Sequence, residues 1–155
     1  MIDPVVRPAG PDDVAELQML EDEGRAGLDG ARGGGRWLEE HPPIGNRWAE
    51  VVAVRSVFVA EIGDVEGLDQ PPAAVGYLVL DVDGAIARID QVFVTPGARE
   101  LGFGDALVEA ATDAARSAGA TYLEGEALPG DRETKNLFER ARITARLITV
   151  SRRLD

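Results

Sequence analysis

The sequence predicts an α/β (α+β) protein: a mixed, mostly antiparallel central sheet with one parallel βαβ unit and helices on both faces. Three observations carry that expectation. Residues 86–118, IARIDQVFVTPGARELGFGDALVEAATDAARSA, pass from a strand rich in β-branched residues through a tight loop into an alanine-rich helix. Two earlier apolar runs, SVFVAEI at 56–62 and AAVGYLVLD at 73–81, read as strands joined by a polar Gly/Pro/Asp-rich loop, as in an antiparallel hairpin. Residues 121–127 form a further strand after the helix, and a helical crossover makes it parallel to the strand at 86–94.

Taken in order, residues 5–7 open with a short strand, and Pro11-Asp12-Asp13 starts a helix to about Glu23. Its acidic first turn favours the helix dipole, and Val14, Leu17 and Leu20 form an apolar stripe. Residues 24–35 hold six glycines and read as a flexible loop, either a lid over a site or plain surface. Residues 36–41 make a helical turn or two, stopped by Pro42-Pro43. Asp83-Gly84 is a two-residue turn signal between the strands at 73–81 and 86–94. The central helix buries Phe103, Leu107, Ala111, Ala114 and Ala118, and Gly119 caps it. Pro129-Gly130-Asp131 begins a helix to about Arg142, and residues 144–152 form a last strand.

Composition narrows the function. A chain of 155 residues, 45% hydrophobic, reads as one globular domain spanning 1–155. The absence of cysteine excludes a disulfide framework, a Cys-ligated zinc site and a thiol nucleophile. His41 is the one histidine, which rules out a multi-His site, so no metal is expected. No apolar run approaches the roughly 20 residues of a membrane span. The start, MIDPVVRPAG, has neither a basic region nor a long apolar stretch, so the cytoplasm is the expected location. A net charge of −12 argues against nucleic acid and anionic membrane as partners. It suits a cationic small molecule, though solubility alone also accounts for it.

The loop carries the chemistry. Arg99-Glu100-Leu101-Gly102-Phe103-Gly104 has the form R-x-x-G-x-G. Glycines let backbone approach an anion closely, arginine adds a charged donor, and the helix start offers free N–H groups at the positive end of its dipole. Neither a dinucleotide fingerprint nor a Walker loop fits the spacing. Alone, the pattern fits equally a tight strand-to-helix turn.

In context, V-x-V-T-P-x-x-R-x-x-G-x-G-x-A-L after two hairpin strands resembles the GNAT superfamily of acyl-CoA-dependent N-acyltransferases. VVRPAGPDDVAELQML resembles that family's first strand and helix, and LPGDRETKNLFERARITARLITVS its last helix and strand. The resemblance is weakest over 24–55. It implies a V-shaped opening between the two parallel strands. Pantetheine would pair there with backbone of Val92, Phe93 and Val94, and the pyrophosphate would sit on Arg99, Glu100, Leu101, Gly102, Phe103 and Gly104. It implies acetyl-CoA as cosubstrate and direct transfer to a small-molecule or peptidyl amine.

Departures from the family pattern matter. Glu100 and Leu101 stand where glycine or a second basic residue is common. Phe138 replaces the tyrosine that commonly protonates the leaving thiolate, Asp131 replaces an asparagine that contacts pantetheine, and Arg142-Ile143 replaces Gly-Phe. About ten residues follow, too few for the family's closing hairpin. Completion by a strand of a second copy, as a homodimer, and a simplified edge both stay open.

Transfer needs a base for the acceptor amine. Glu124 and Glu126, two apart on a strand, share a face. In related Nα-acetyltransferases a catalytic Glu precedes the helix-starting Asn by five residues, and counting back from Asp131 gives Glu126. Asp90, sharing a face with Val92, is a further option. Tyr122, Tyr77 and His41 are candidates for the acid or the acceptor pocket, and Trp37 and Trp48 for packing or pocket walls. The reading is an N-acetyltransferase. Its rivals are a catalytically weak or inactive acyl-CoA-binding module of the same fold and an unrelated mononucleotide-binding domain.

Overall fold

Five strands form one sheet in the order β1-β2-β3-β4-β5, so each strand's neighbours in sequence are its neighbours in space. The structure, a computed structural model, describes residues 3–63 and 72–155. β1 (Pro4–Pro8), β2 (Ser56–Ile62), β3 (Ala73–Asp83) and β4 (Ile86–Val94) pair antiparallel, and β4 pairs parallel with β5 (Tyr122–Gly125). The connection expected between β2 and β3 lies, for residues 64–71, outside the described residues. Between β3 and β4 the turn at Gly84 takes φ +61°, which glycine adopts at no steric cost.

β3 is the centre of the sheet. Val75 through Leu80 are all buried, because both faces of the strand are covered. Leu78 and Leu80 face α4 (Phe103–Ser117) and α5 (Arg132–Arg140), in a core completed by Ala87, Ile89, Phe103 and Leu107. Tyr77 and Val79 face α1 (Val14–Leu28) and α3 (Trp48–Val54), around Leu17, Ile44 and Trp48. α2 (Gly34–Glu40) sits between those two helices in sequence. No helix among the described residues is long and apolar enough to cross a membrane.

Four expectations change. The glycine-rich stretch at 24–35 is mostly helix: α1 runs through Gly24 and Gly27 to Leu28, and α2 begins at Gly34. Gly24 is there for space, since a Cβ would lie 3.0 Å from the Phe93 ring. A Cβ at Gly34 would collide with the Leu28 carbonyl oxygen. α3, ahead of β2, lies where the sequence offered no element. The buried stripe of α4 runs Phe103, Leu107, Val108, Ala111, Ala115; Ala114 is half-buried and Ala118 exposed. Finally, β5 stops at Gly125, and residues 144–155 form no strand. Leu147, Ile148 and Val150 are exposed, so no sheet holds that segment. Its anchors are Arg146 on Glu124 (3.4 Å) and Ser151 on Arg36 (2.9 Å).

Candidate active site where two parallel strands part

The site begins where a ladder ends. β4 and β5 pair from Ile86–Tyr122 to Ile89–Gly125. Beyond that pair β5 stops while β4 runs on to Val94, so the second edge of β4 is unpaired over its last residues. A β-bulge helps: Val79 pairs with Gln91 and Leu80 with Ile89, leaving Asp90 as the extra residue. Bulges re-aim side chains and end pairing. Here the bulge reverses the facing pattern. Val92 and Val94 turn to the α4 core, whereas Gln91 and Phe93 turn toward α1. Asp90 turns to Arg55, 3.3 Å away, so it does not share a face with Val92 as simple alternation predicts.

The loop after β4 supplies donors. Backbone N–H groups from Glu100 through Asp105 have no acceptor among the described residues. They sit at the N-terminus of α4, where the dipole adds partial positive charge. Glu100 (φ +66°) and Gly102 (φ +88°) are both left-handed, a turn that brings neighbouring N–H groups onto one side and makes an anion-binding concavity. Arg99 Nε donates to the Val94 carbonyl at 3.0 Å, and its guanidinium lies 5.8 Å above the Phe93 ring. That fixes the Arg99 cation beside the unpaired end of β4, while a second arginine, Arg140, pairs with the Asp105 carboxylate at 3.0 Å in the first turn of α4.

Not every glycine of the motif serves the loop. A Cβ on Gly104 would meet Leu137 of α5 at 3.2 Å, so that glycine permits helix–helix packing. Phe103 is buried, and only its N–H belongs to the loop. Leu101 and Glu100 are exposed. At the closed end of the gap the Phe138 ring covers Gly125, whose Cβ would come within 2.6 Å of it. Asp131 caps α5, accepting from Thr134 N (3.2 Å) and Thr134 Oγ1 (2.6 Å).

The two glutamates part company. Glu124 faces Arg88 (3.8 Å) and Arg146 (3.4 Å), one guanidinium on each oxygen. Glu126 lies just past the end of β5, exposed and without an ion-pair partner among the described residues. Tyr122 is 67% exposed. Tyr77 is buried and donates to Gln91 Oε1 at 2.6 Å. Burial first, and the Glu21 charge second, push its hydroxyl far above the usual phenol range, so it holds its proton.

A cavity of about 230 Å³ abuts the bulge on the α1–α3 face. Asp90 and Gln91 form its inner edge, and Trp37 and His41, stacked with ring centroids 4.4 Å apart, form part of its rim. Trp48, by contrast, is wholly buried.

Behind the cavity lies a group that no sequence pattern marks out. Glu21 is fully buried and accepts from Ile44 N (2.9 Å), Gly45 N (2.9 Å), Trp48 Nε1 (3.2 Å) and Gln91 Nε2 (2.9 Å). One carboxylate thereby ties α1, the turn before α3 and β4 together. The signal available was only an acidic residue next to Leu20, on the apolar stripe of α1.

A parted pair of parallel strands with a donor-rich helix start beside it defines the acyl-CoA-dependent acyltransferases. The chain belongs to the acetyltransferase (GNAT) family, whose model matches residues 18–142, and it is an acyltransferase. No curated relative matches at the sequence level. Among solved structures, a tetramutant of the BH1408 protein of Bacillus halodurans is similar at 14% identity with a TM-score of 0.76, covering 97% of this chain and 99% of that one. An aminoglycoside N-acetyltransferase, AAC(6')-Iy, solved in complex with CoA, is similar at 12% identity and TM-score 0.65, covering 97% and 100%. A ribosomal-protein-alanine N-acetyltransferase of Brucella melitensis shows 15% identity and TM-score 0.62, covering 99% and 100%.

Proposed function

We propose that the protein is an N-acetyltransferase that moves an acetyl group directly from acetyl-CoA to an amine. The observation that carries this is the run of unaccepted N–H groups from Glu100 through Asp105, beside the free edge of β4. These donors and Arg99 fit a pyrophosphate in charge and hydrogen-bonding capacity. Backbone of Val92, Phe93 and Val94 would take the pantetheine arm. Bound there, acetyl-CoA supplies an activated acyl group as its thioester. Relatives in this fold named for an aminoglycoside and for a ribosomal-protein alanine share only an amine as acceptor, which supports amine transfer in general.

The chain's own residues then handle protons. Glu126, free of ion pairs, takes the proton of the incoming amine. Glu124 is held by two arginines as a structural anion that anchors residues 144–155. Asp90 faces the cavity from the other side of the gap and is the second candidate base. Phe138 has no hydroxyl, so return of a proton at that position falls to solvent, and turnover is slower than with a general acid by roughly 10²–10⁴. That substitution also favours a catalytically weak form of the same activity over a fast one.

Titration calorimetry with acetyl-CoA and a thiol-release assay over an amine panel test the reading. Glu126→Gln should lower kcat by about 10²–10⁴ without changing acetyl-CoA affinity; an unchanged rate would move the base to Asp90, tested by Asp90→Asn. Gly102→Asp should weaken acetyl-CoA binding, because it puts a carboxylate and a Cβ at a left-handed position in the loop. Undiminished binding would remove the loop's proposed role.

A further inference from the structure

The chain as a whole carries −12, yet the cavity beside the bulge is cationic. Arg25, Arg47 and Arg55 line it, against Glu40 and Asp90. Both acids are already engaged: Glu40 with Arg36 at 2.6 Å, outside the lining, and Asp90 with Arg55 at 3.3 Å. Arg25 gives its guanidinium to two backbone carbonyls, of His41 (2.8 Å) and Leu38 (3.3 Å), which hold it without neutralising it. Arg47 has no ion-pair partner among the described residues. Three guanidiniums thus line the cavity against two carboxylates, with the Glu21 carboxylate buried behind it, and the exposed Arg47 is the lining cation that makes no ion pair among the described residues.

Their placement is built rather than incidental. Arg47 ends the 3-10 turn Gly45–Arg47, and the first residue of that turn donates to buried Glu21. Arg25 stands one helical turn beyond Glu21 on α1. One buried carboxylate therefore fixes the segment that carries Arg47 and, through Gln91 Nε2, the strand that carries Asp90. Cavities for drug-sized ligands run to about 300–1,000 Å³. At about 230 Å³ this one takes a compact group.

We infer that the acceptor is a small amine that also bears a carboxylate. Its carboxylate is held by Arg47 with help from the Arg25 charge. Its amine lies toward Asp90 and Gln91, where β4 leaves β5. Arginine suits a carboxylate because its planar fork offers two parallel donors. A polycationic acceptor, which the overall acidity would suit, meets like charge here. This inference rests on the proposed transfer reaction, and it names the acceptor class for that site.

The test uses the full chain, saturated with CoA. The probes are the common L-amino acids and short ω-amino acids, their carboxamides, the matching decarboxylated amines, and spermidine. Titration calorimetry reads their binding, and thiol release from acetyl-CoA reads turnover on the same panel. Amino-carboxylates should bind at least about tenfold more tightly than their carboxamides. Arg47→Gln should erase that preference and raise KM with little change in kcat, since the exposed Arg47 contacts the acceptor away from the reacting atoms. Equal or tighter binding of carboxamides or spermidine, or no amino-carboxylate bound at millimolar concentration, would overturn the inference. Acetyl-CoA affinity is measured separately. Its absence would defeat the transfer reading, while a carboxylate preference erased by Arg47→Gln would still support the cavity's selectivity.

Discussion

The two faces of the sheet are built in opposite ways. On the α4–α5 face the interior is apolar, from Leu78 and Leu80 to Phe103, Leu107 and Phe138, and polar work is left to backbone N–H groups at the rim. On the α1–α3 face a charge is buried outright, with Glu21 tied to Ile44, Gly45, Trp48 and Gln91. The first face binds by shape and helix dipole, and at Gly104 and Gly125 it leaves little or no room for an added Cβ. The second binds by side chains, and its geometry depends on one carboxylate. Backbone sites are robust to side-chain change but sterically strict; side-chain sites are the reverse.

That contrast predicts where each face breaks. The largest effect should come from Glu21→Leu, which fills the space but leaves four donors unaccepted, at a cost of about 4 kcal/mol. Urea unfolding reads it, and a loss below about 1 kcal/mol would mean that the network adds little. On the other face, Gly125→Ala should cost about 3 kcal/mol, because the new Cβ overlaps the buried Phe138 ring. Here the telling control is Gly125→Ala with Phe138→Leu: rescue by the smaller side chain shows that steric overlap was the cause.

A smaller loss comes from the entrance to α1. Arg7 grips Asp13 with two bonds of 2.8 Å, and Gly10 N adds a third of 2.7 Å. The Arg7 hydrogen bonds hold the Asp13 carboxyl below its ordinary value. A depressed carboxylate stabilises at and above its unfolded pKa, about 4, and that stability is lost as pH falls through the folded value. Asp13→Asn should therefore cost about 2 kcal/mol at neutral pH, discounted because Arg7 is partly exposed and keeps Glu61. The gap between variant and parent should close as the pH drops below about 4. A gap independent of pH would mean the pair acts through packing.

The same contrast explains what could be read from the chain. The α4–α5 face is local in sequence: strand, loop, helix and strand follow one another within residues 86–125, so periodicity and the R-x-x-G-x-G spacing display it. Asp131 as a helix start and the Gly84 turn are local for the same reason. The α1–α3 face is assembled from Glu21, Gly45, Trp48, Tyr77 and Gln91, far apart along the chain. No periodicity marks a buried acid, and Gly24, which signals a loop, instead sits inside α1 because Phe93 needs the room. The bulge at Asp90 is equally hidden, since it depends on the register of a neighbouring strand. The strand expected at 144–152 also needs a partner edge, and none pairs with it.

The smallest effects separate strain from function on the backbone face. Among the described residues, Arg142 and Glu100 are the two non-glycine residues with positive φ, at +62° and +66°. Arg142 follows α5, where Arg142 N donates to Glu139 O and Ile143 N to Phe138 O. That is the Schellman arrangement, in which glycine is favoured because a Cβ strains the left-handed conformation. Arg142→Gly should raise stability by about 1 kcal/mol and leave acetyl-CoA affinity unchanged. Glu100→Gly should raise stability similarly, since the conformation is the same. It should also tighten acetyl-CoA binding, because it removes a carboxylate from the donor loop. If both variants gain stability but neither changes affinity, the Glu100 side chain points away from the phosphates. If Glu100→Gly weakens binding instead, the left-handed turn at 100 needs its side chain to hold the N–H groups in place, and the loop on this face would not be a purely backbone site.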